Sequence, residues 1–376
     1  MTRTISSHYS DPLDLVWLET ARSMGLAVSR TSEAYASTDG QGGLFLSRSE
    51  TMDPDDCVAQ MVLHEICHWM VQGTSSVGWV DWGLDNEGTH DAEREHACLR
   101  LQAALLVPWG LRQTLAPTTD FRVFYDALPS DPFHERDSSE RESIVRARAA
   151  YARRDQHPFR GHLEQALQAT ARIGQAIRDG LPANRPSNHL LSLTTDPLPL
   201  HRTGLPLYPD STSKCADCAW YITAETNTKV GRCRQSDGKT TAADDTSCTH
   251  FEPLFDCLNC GACCREAYDT VEVADDDPAR HLHLSLLVER TGGYDMKRSG
   301  ARCVCLRGGT PLHPPRPAIF GGKSAPDAGE STPPLHMPSH VPFTCTIYET
   351  RPQTCRDFAI YSDHCLHARR RVGLSR

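Results

Sequence analysis

No apolar run in this chain is long enough to cross a membrane, and the opening MTRTISSHYSDPLDLVW has no apolar leader segment. A membrane span and a secretory signal are therefore not expected; a cytoplasmic location is. Surplus positive charge is also missing. The net charge is −9, and the only dense basic run is ARRRVGLSR at the C-terminal end. General affinity for nucleic acid or anionic lipid is not expected from that balance. Cysteine is scarce at first and then abundant. Of sixteen cysteines, only Cys57, Cys67 and Cys98 precede residue 200, and the other thirteen lie between 215 and 365. In a reducing compartment, clustered thiols are more often metal ligands than disulfides. The step in composition reads as a domain boundary, and 376 residues suit two or three domains.

The first half alternates helix and strand signals. DPLDLVWLETARSMGL (11–26) predicts a helix capped by Asp11 with Pro12 in its first turn. LAVSRT, EAYAST and GLFLS are short strand candidates around the turn-forming DGQGG. DPDDCVAQMVLHEICHWMVQ predicts a helix with Asp53 as N-cap and Pro54 at its first position. A further helix is expected from about Asp91 to Leu106, stopped by Pro108. Residues 137–180 read as one or two charged amphipathic helices. Residues 181–210 read as a Pro-rich linker, and 308–342 as a long Pro/Gly-rich loop.

Within the second predicted helix, HEICH sets His64 and His68 four residues apart with Glu65 between them. Residues i and i+4 share one helix face, so both imidazoles can reach one Zn²⁺. Glu65 would stand beside the open coordination position as general base. A third protein ligand is needed. HDAEREHACLRLQAALLVP (90–108) offers His90, Asp91, Glu93, Glu95 and His96, and Glu95 shares a helix face with Cys98, Leu99, Gln102 and Leu106. Cys57, Cys67 and Cys98 read as buried apolar cysteines.

HExxH followed one loop later by a glutamate-bearing helix ending AALLVP (103–108) resembles the ImmA/IrrE-type zinc metallopeptidases over roughly residues 10–110. The resemblance implies a zincin-like fold acting on a peptide or protein substrate. It implies His64, His68 and Glu95 as zinc ligands and Glu65 as catalytic base, with Glu93 as the alternative third ligand. This chain departs from the family pattern at Leu99, Leu101 and Gln102.

The second half carries two cysteine units. Cys215, Cys218, Cys233 and Cys248 have the spacing of a four-thiolate site, with a CxxC turn and two later thiols. So short a segment has little core, and bound metal would supply much of its folding energy. Zn²⁺ is the default, and an iron–sulfur cluster also suits four thiolates. The segment is similar to small cysteine ribbons ending C-x-x-F-E-P, matched by CTHFEP (248–253). Next, CLNCGACC packs Cys257, Cys260, Cys263 and Cys264 into eight residues, with Gly261 allowing a tight turn. CLNCGACCREAYDTVEV, CTIYETRPQTCRDF and ARRRVGL resemble the YkgJ-type CxxCxxCC family, described as zinc- or iron-chelating, over about 257–375. The resemblance implies Cys257, Cys260, Cys263, Cys264, Cys303, Cys345, Cys355 and Cys365 as ligands. Cys305 is extra and could replace Cys303. The nine thiols could serve two four-thiolate centres or one larger cluster. His281, His283 and His364 are possible substitutes, and Arg351, Pro352 and Arg356 could shape the cluster loop.

The expected fold class is α+β and multidomain: a zincin-like domain (1–135), a helical segment and linker (136–210), a four-cysteine ribbon (211–255) and a loop-rich cysteine-cluster domain (256–376). The leading functional expectation is a zinc metallopeptidase coupled to a zinc or iron–sulfur cysteine module. The alternative is an iron–sulfur redox or peptide-modifying protein whose zincin-like domain mainly binds substrate. Nucleic acid is an unlikely partner, because CADCAWYITAETNTKVGRC has few basic residues.

Overall fold

The structure is a computed structural model that describes residues 6–85, 91–180, 189–208, 211–224, 227–265, 267–309 and 342–375. His90 and most of the 308–342 stretch lie outside the described residues. The class is α+β with small sheets. The chain divides into two compact units, Met1–Glu252 (with Ser375–Arg376) and Pro253–Leu374. Among the described residues, no helix is long and apolar enough to cross a membrane.

In the first unit, α1 (Pro12–Ser23) begins where expected, with Asp11 Oδ1 accepting from the Leu13 amide at 2.8 Å. Leu13, Trp17 and Ala21 recur at helical spacing and are buried. The Trp17 indole donates to Thr170 Oγ1 at 2.9 Å, which ties α1 to α6 (His162–Gly180). Strands β1 (Ala27–Thr31), β2 (Ala36–Thr38) and β3 (Gly43–Ser47) form a sheet of order β1-β3-β2. β1 runs parallel to β3 and β2 runs antiparallel to it.

Helix α2 (Val58–Gln72) carries HEICH and is buried along nearly all its length. It starts later than expected. Cys57 is the N-cap, and its Sγ accepts from the Gln60 amide at 3.4 Å. Asp53 and Pro54 lie outside, because Asp56 folds back to the Asp53 amide (2.8 Å) and takes the Thr118 hydroxyl. Those bonds fix 53–57 as a turn before the helix. At the other end Gly73 adopts a φ of +99°, a backbone state that favours glycine.

Helix α3 (Ala92–Leu106) packs against α2 and against α5 (Arg141–Ala152); a short α4 (Arg122–Asp126) lies between them in sequence. Arg100 of α3 is fully buried and pairs with Glu140 at 3.1 Å. Residues 189–208, expected as a linker, fold back onto the end of α3. The Thr195 amide donates to Gly110 O (2.9 Å) and the Leu198 amide to Pro108 O (3.2 Å). A Cβ on Gly110 would sit 2.1 Å from the Thr195 carbonyl oxygen, so only glycine permits this docking. The unit ends in an antiparallel sheet, β4-β5-β6 (Tyr221–Ala224, Asn227–Cys233, Lys239–Ala242).

The second unit has less regular structure. Its elements are α7 (Cys257–Cys260), α8 (Ala262–Arg265), β7 (Glu272–Val273), α9 (Pro278–Leu282), β8 (Leu287–Arg290) and β9 (Gly293–Met296). The antiparallel pairs β10–β11 (Arg298–Ser299, Arg302–Cys303) and β12–β13 (Leu306–Arg307, Thr344–Cys345) follow. Then come α10 (Gln353–Arg356) and α11 (Asp363–Arg371). β7, β9 and β8 make an antiparallel sheet.

Arg100 holds α3 through Glu140, and this pair yields a prediction. Burial opposes the charge of the Glu140 carboxylate, but hydrogen bonds from Arg136 and the charges of Arg100 and Arg136 outweigh it and hold the group at about 2. A depressed carboxylate stabilises the fold fully above its unfolded value of 4.5 and loses that contribution as pH falls toward 2. Glu140→Gln strands the Arg100 guanidinium and should cost about 3 kcal/mol at pH 7. Denaturant titrations at pH 7 and pH 3 should show the variant's deficit shrinking in acid. A deficit independent of pH would contradict the pairing.

Candidate metal centre

Helical spacing on α2 brings the two imidazoles together. His64 Nε2 and His68 Nε2 are 3.1 Å apart, with rings edge to face at a centroid separation of 4.5 Å. From α3, Glu95 reaches both, with Oε1 3.5 Å from His64 Nε2 and Oε2 3.3 Å from His68 Nε2. A tetrahedral Zn²⁺ with bonds of about 2.0–2.2 Å needs donor–donor edges of about 3.3–3.6 Å. The edge between the histidines is a little shorter than that figure, and the two edges to Glu95 match it, each from a different carboxylate oxygen.

The outer contacts favour metal-ready imidazole on one side. Gln102 is fully buried, and its amide nitrogen donates to Leu115 O at 2.9 Å. Its carbonyl oxygen therefore faces His64 Nδ1, 2.9 Å away, and accepts that N–H. The lone pair of His64 is then on Nε2, toward His68 and Glu95. Burial, reinforced by the neighbouring His64, pushes His68 well below 6.5. Burial raises Glu95 above 4.5 against the pull of His64. Among the described residues, Glu95 Oε1 is buried with no hydrogen-bond partner, and it lies 3.5 Å from His64 Nε2. Buried lone pairs facing one another without a proton or cation are unfavourable, and a cation is the group this donor set fits.

Glu65 is the residue beside His64, and its Oε2 accepts from the Trp82 indole at 2.8 Å. Trp82 is buried, stacks on Trp69 at 5.6 Å, and sits at φ +57° in a turn with Asp81 at φ +47°. Asp81 Oδ1 takes the Thr38 amide of β2 at 2.9 Å, which anchors this turn to the sheet. Burial raises Glu65 above 4.5, and the His64 and Trp82 contacts oppose the rise. His64, Glu65, His68 and Glu95 line a cleft of about 660 Å³ bordered by Tyr35 and Phe121.

Of the candidate third ligands that are described, Glu95 alone meets both histidines. Glu93 turns to α5 and binds Arg146 at 2.7 Å. Asp91 pairs with Arg94, and His96 stacks on Phe124 at 3.8 Å. His64, His68 and Cys98 also place donor atoms within 4.8 Å of one another. Cys98, however, approaches His64 at Nδ1 (3.8 Å), the nitrogen that Gln102 already holds. Burial and the adjacent Cys67 push the Cys98 thiol well above 9. Cys98 thus stands behind His64, on the side of the ring held by Gln102. The supporting roles of Gln102 and Trp82 were not anticipated from sequence. Gln102 carried a usable signal, seven residues beyond Glu95 on one helix face; Trp82 depends on a left-handed turn and carried none.

Cys215, Cys218, Cys233 and Cys248 are neighbours. Burial, then Cys233, Cys218 and Cys215, pushes Cys248 to about 12; burial, with Cys233 and Cys215 adding, pushes Cys218 to about 11. His201 Nε2 lies 3.7 Å from Cys215 Sγ, a second contact not anticipated. In the second unit Cys263 and Cys264 have sulfurs 3.8 Å apart. Gly261 has the φ of +61° expected of a tight turn, and a Cβ there would meet the Phe343 ring at 2.9 Å. His283 hydrogen-bonds Thr350 and His364 packs near Phe358. Arg356 donates to the Glu349 and Arg351 carbonyl oxygens, and the Arg351 guanidinium lies over Tyr348. No three thiols stand within 4.8 Å of one another among the described residues, so the sulfurs are gathered but not closed on a centre.

Comparison with protein-family models, curated proteins and solved structures finds no match.

The depressed His68 gives a prediction with a sign. A histidine whose folded value lies below 6.5 stays neutral in the fold while the unfolded chain takes up a proton, so this group lowers stability as pH falls through 6.5. Nitrogen-15 NMR of the metal-free protein should show a neutral His68 ring at pH 6. Protonation near 6.5 would contradict this account of the site.

Proposed function

We propose that the first unit is a zinc-dependent peptide hydrolase. The observation that carries the reading is the triangle of His64 Nε2, His68 Nε2 and Glu95 carboxylate, with edges of 3.1–3.5 Å in a cleft that also holds Glu65. His64, His68 and Glu95 would hold the ion, and Gln102 orients His64. Zinc bound there would supply Lewis-acid chemistry, polarising the scissile carbonyl and acidifying water. Glu65 accepts the proton of the attacking water and returns it to the leaving amine. Its raised proton affinity suits a group that must carry a proton between those steps. The Trp82 indole fixes one carboxylate oxygen and leaves the other to the proton.

The cleft also suggests a substrate charge. Asp53, Asp56, Asp81 and Asp120 border it, and among the described residues no Lys or Arg does. That field favours a positively charged peptide.

A second reading takes iron–sulfur redox chemistry in the second unit as the primary activity. The nine neighbouring thiols favour it. Visible absorption after anaerobic purification distinguishes it from a colourless zinc protein.

The test of the first reading is a set of three variants. Glu65→Gln should keep its zinc and lose cleavage of a basic peptide by about 10²–10⁴-fold. Glu95→Ala should lose zinc under chelator competition, while Glu93→Ala keeps it. Wild-type cleavage by Glu65→Gln would overturn the mechanism, and zinc retention by Glu95→Ala would overturn the ligand set.

A further inference from the structure

Gln60 lines the wall of the cleft, one helical turn before His64 on α2, and is 2% exposed. A glutamine buried this deeply normally commits both ends of its amide to hydrogen bonds. Gln60 commits one. Its Nε2 donates to Thr118 Oγ1 at 2.8 Å, and the Thr118 hydroxyl donates in turn to Asp56 Oδ1. Because that hydroxyl proton goes to a carboxylate, Thr118 accepts from Gln60, and the amide cannot be turned round. The carbonyl oxygen Oε1 is left without a hydrogen-bond partner among the described residues. A buried acceptor left in that state is costly unless a donor arrives.

Carboxylates border the same stretch of cleft. Asp56 has both oxygens engaged, one by Thr118 and one by the Asp53 amide. Asp53 and Asp120 are exposed, and their side chains make no hydrogen bond or ion pair among the described residues. They come from different parts of the chain, the turn before α2 and the segment between α3 and α4. Acidic residues ahead of a helix complement its dipole with or without a ligand. That dipole does not explain a buried amide oxygen held open beside them.

We propose that Gln60, Asp53 and Asp120 form a subsite for an arginine side chain of the substrate, an inference that rests on the peptide-hydrolase reading of this cleft. A guanidinium carries five N–H donors in a planar fork, so it can donate to Gln60 Oε1 and to a rim carboxylate at once. Its faces also stack on aromatic rings, and Tyr35 and Phe121 border the cleft. A lysine ammonium supplies the charge without the fork or the face. Gln60 lies four residues, about 6 Å, from His64 along the helix. An extended peptide advances about 3.4 Å per residue, which puts the arginine within about two residues of the scissile bond. Thr118 and Asp56 position the Gln60 amide and do not touch the substrate.

The test measures binding to full-length, zinc-loaded Glu65→Gln, which separates recognition from cleavage. The probes are N-acetylated, C-amidated octapeptides of alanine and serine that carry one arginine, with matched peptides carrying lysine or norleucine in its place. Arginine should bind about tenfold more tightly than norleucine, with lysine between them. Gln60→Leu should lower arginine affinity about tenfold and leave zinc content and norleucine-peptide affinity unchanged. A merely structural role would weaken both peptides alike. Asp120→Asn, at the surface, should lower arginine affinity about threefold and decides the matter if Gln60→Leu does not fold. Equal binding of arginine and norleucine, lysine binding as tightly as arginine, or an arginine preference that survives these substitutions would overturn the subsite. With the wild-type protein, the cut should stay within two residues of the arginine as it is moved along the peptide. Cleavage indifferent to arginine would overturn the subsite and leave the hydrolase standing. Arginine-specific binding without wild-type cleavage would support the subsite and overturn the hydrolase.

Discussion

Two imidazole nitrogens and a carboxylate face one another across 3.1–3.5 Å inside the first unit, and much of that unit is arranged to keep them there. Such a meeting of lone pairs is unfavourable unless a cation or shared protons intervene. The fold holds it by making the two bearing helices rigid. α2 is buried on nearly every side, packed by α1, α3 and α5. α3 is fixed by a buried arginine that reaches both the Pro132 carbonyl oxygen at 2.6 Å and Glu140. The docked 189–208 segment closes the end of α3 at Gly110. Each of these contacts lies away from the cleft, yet each limits how far Glu95 can move from the histidines. Precise placement of ligands by packing and outer hydrogen bonds is what a metal site requires.

The two units make different use of cysteine. In the first unit Cys67 and Cys98 are fully buried thiols in an apolar setting and serve as small core residues. In the second unit thiols make up a substantial part of the interior, and the regular elements are short. A unit built that way draws its stability from whatever draws the sulfurs together. The same side chain thus acts as packing in one setting and as a candidate ligand in the other, and burial among apolar partners against burial among other thiols separates the two.

Much of the first unit was legible in the sequence because local rules agreed with tertiary demands. Asp11 and Pro12 cap α1 as read, the three strands fall in the segments predicted, and i,i+4 spacing sets the His64–His68 pair. Glu95 could be favoured over Glu93 only by resemblance; the structure separates them by the partner Arg146, fifty-three residues away from Glu93. The start of α2 was misread because Asp53 and Pro54 make as good a turn as a helix start, and the hydrogen bond between the Asp56 side chain and the Asp53 amide settles it. The docking of 189–208 was not legible, since proline-rich composition describes local stiffness and not what the segment lies upon. Trp82 was invisible for a similar reason: its contact with Glu65 depends on two consecutive left-handed residues.

The most direct measurement is anomalous diffraction at the zinc edge from crystals of the zinc-loaded protein. The account predicts a peak within about 2.0–2.2 Å of His64 Nε2, His68 Nε2 and a Glu95 oxygen. It places Cys98 outside the coordination sphere and Gln102 still on His64 Nδ1. A fully loaded crystal with no peak between these three residues, or with the ion held by Cys98 in place of Glu95, would contradict it.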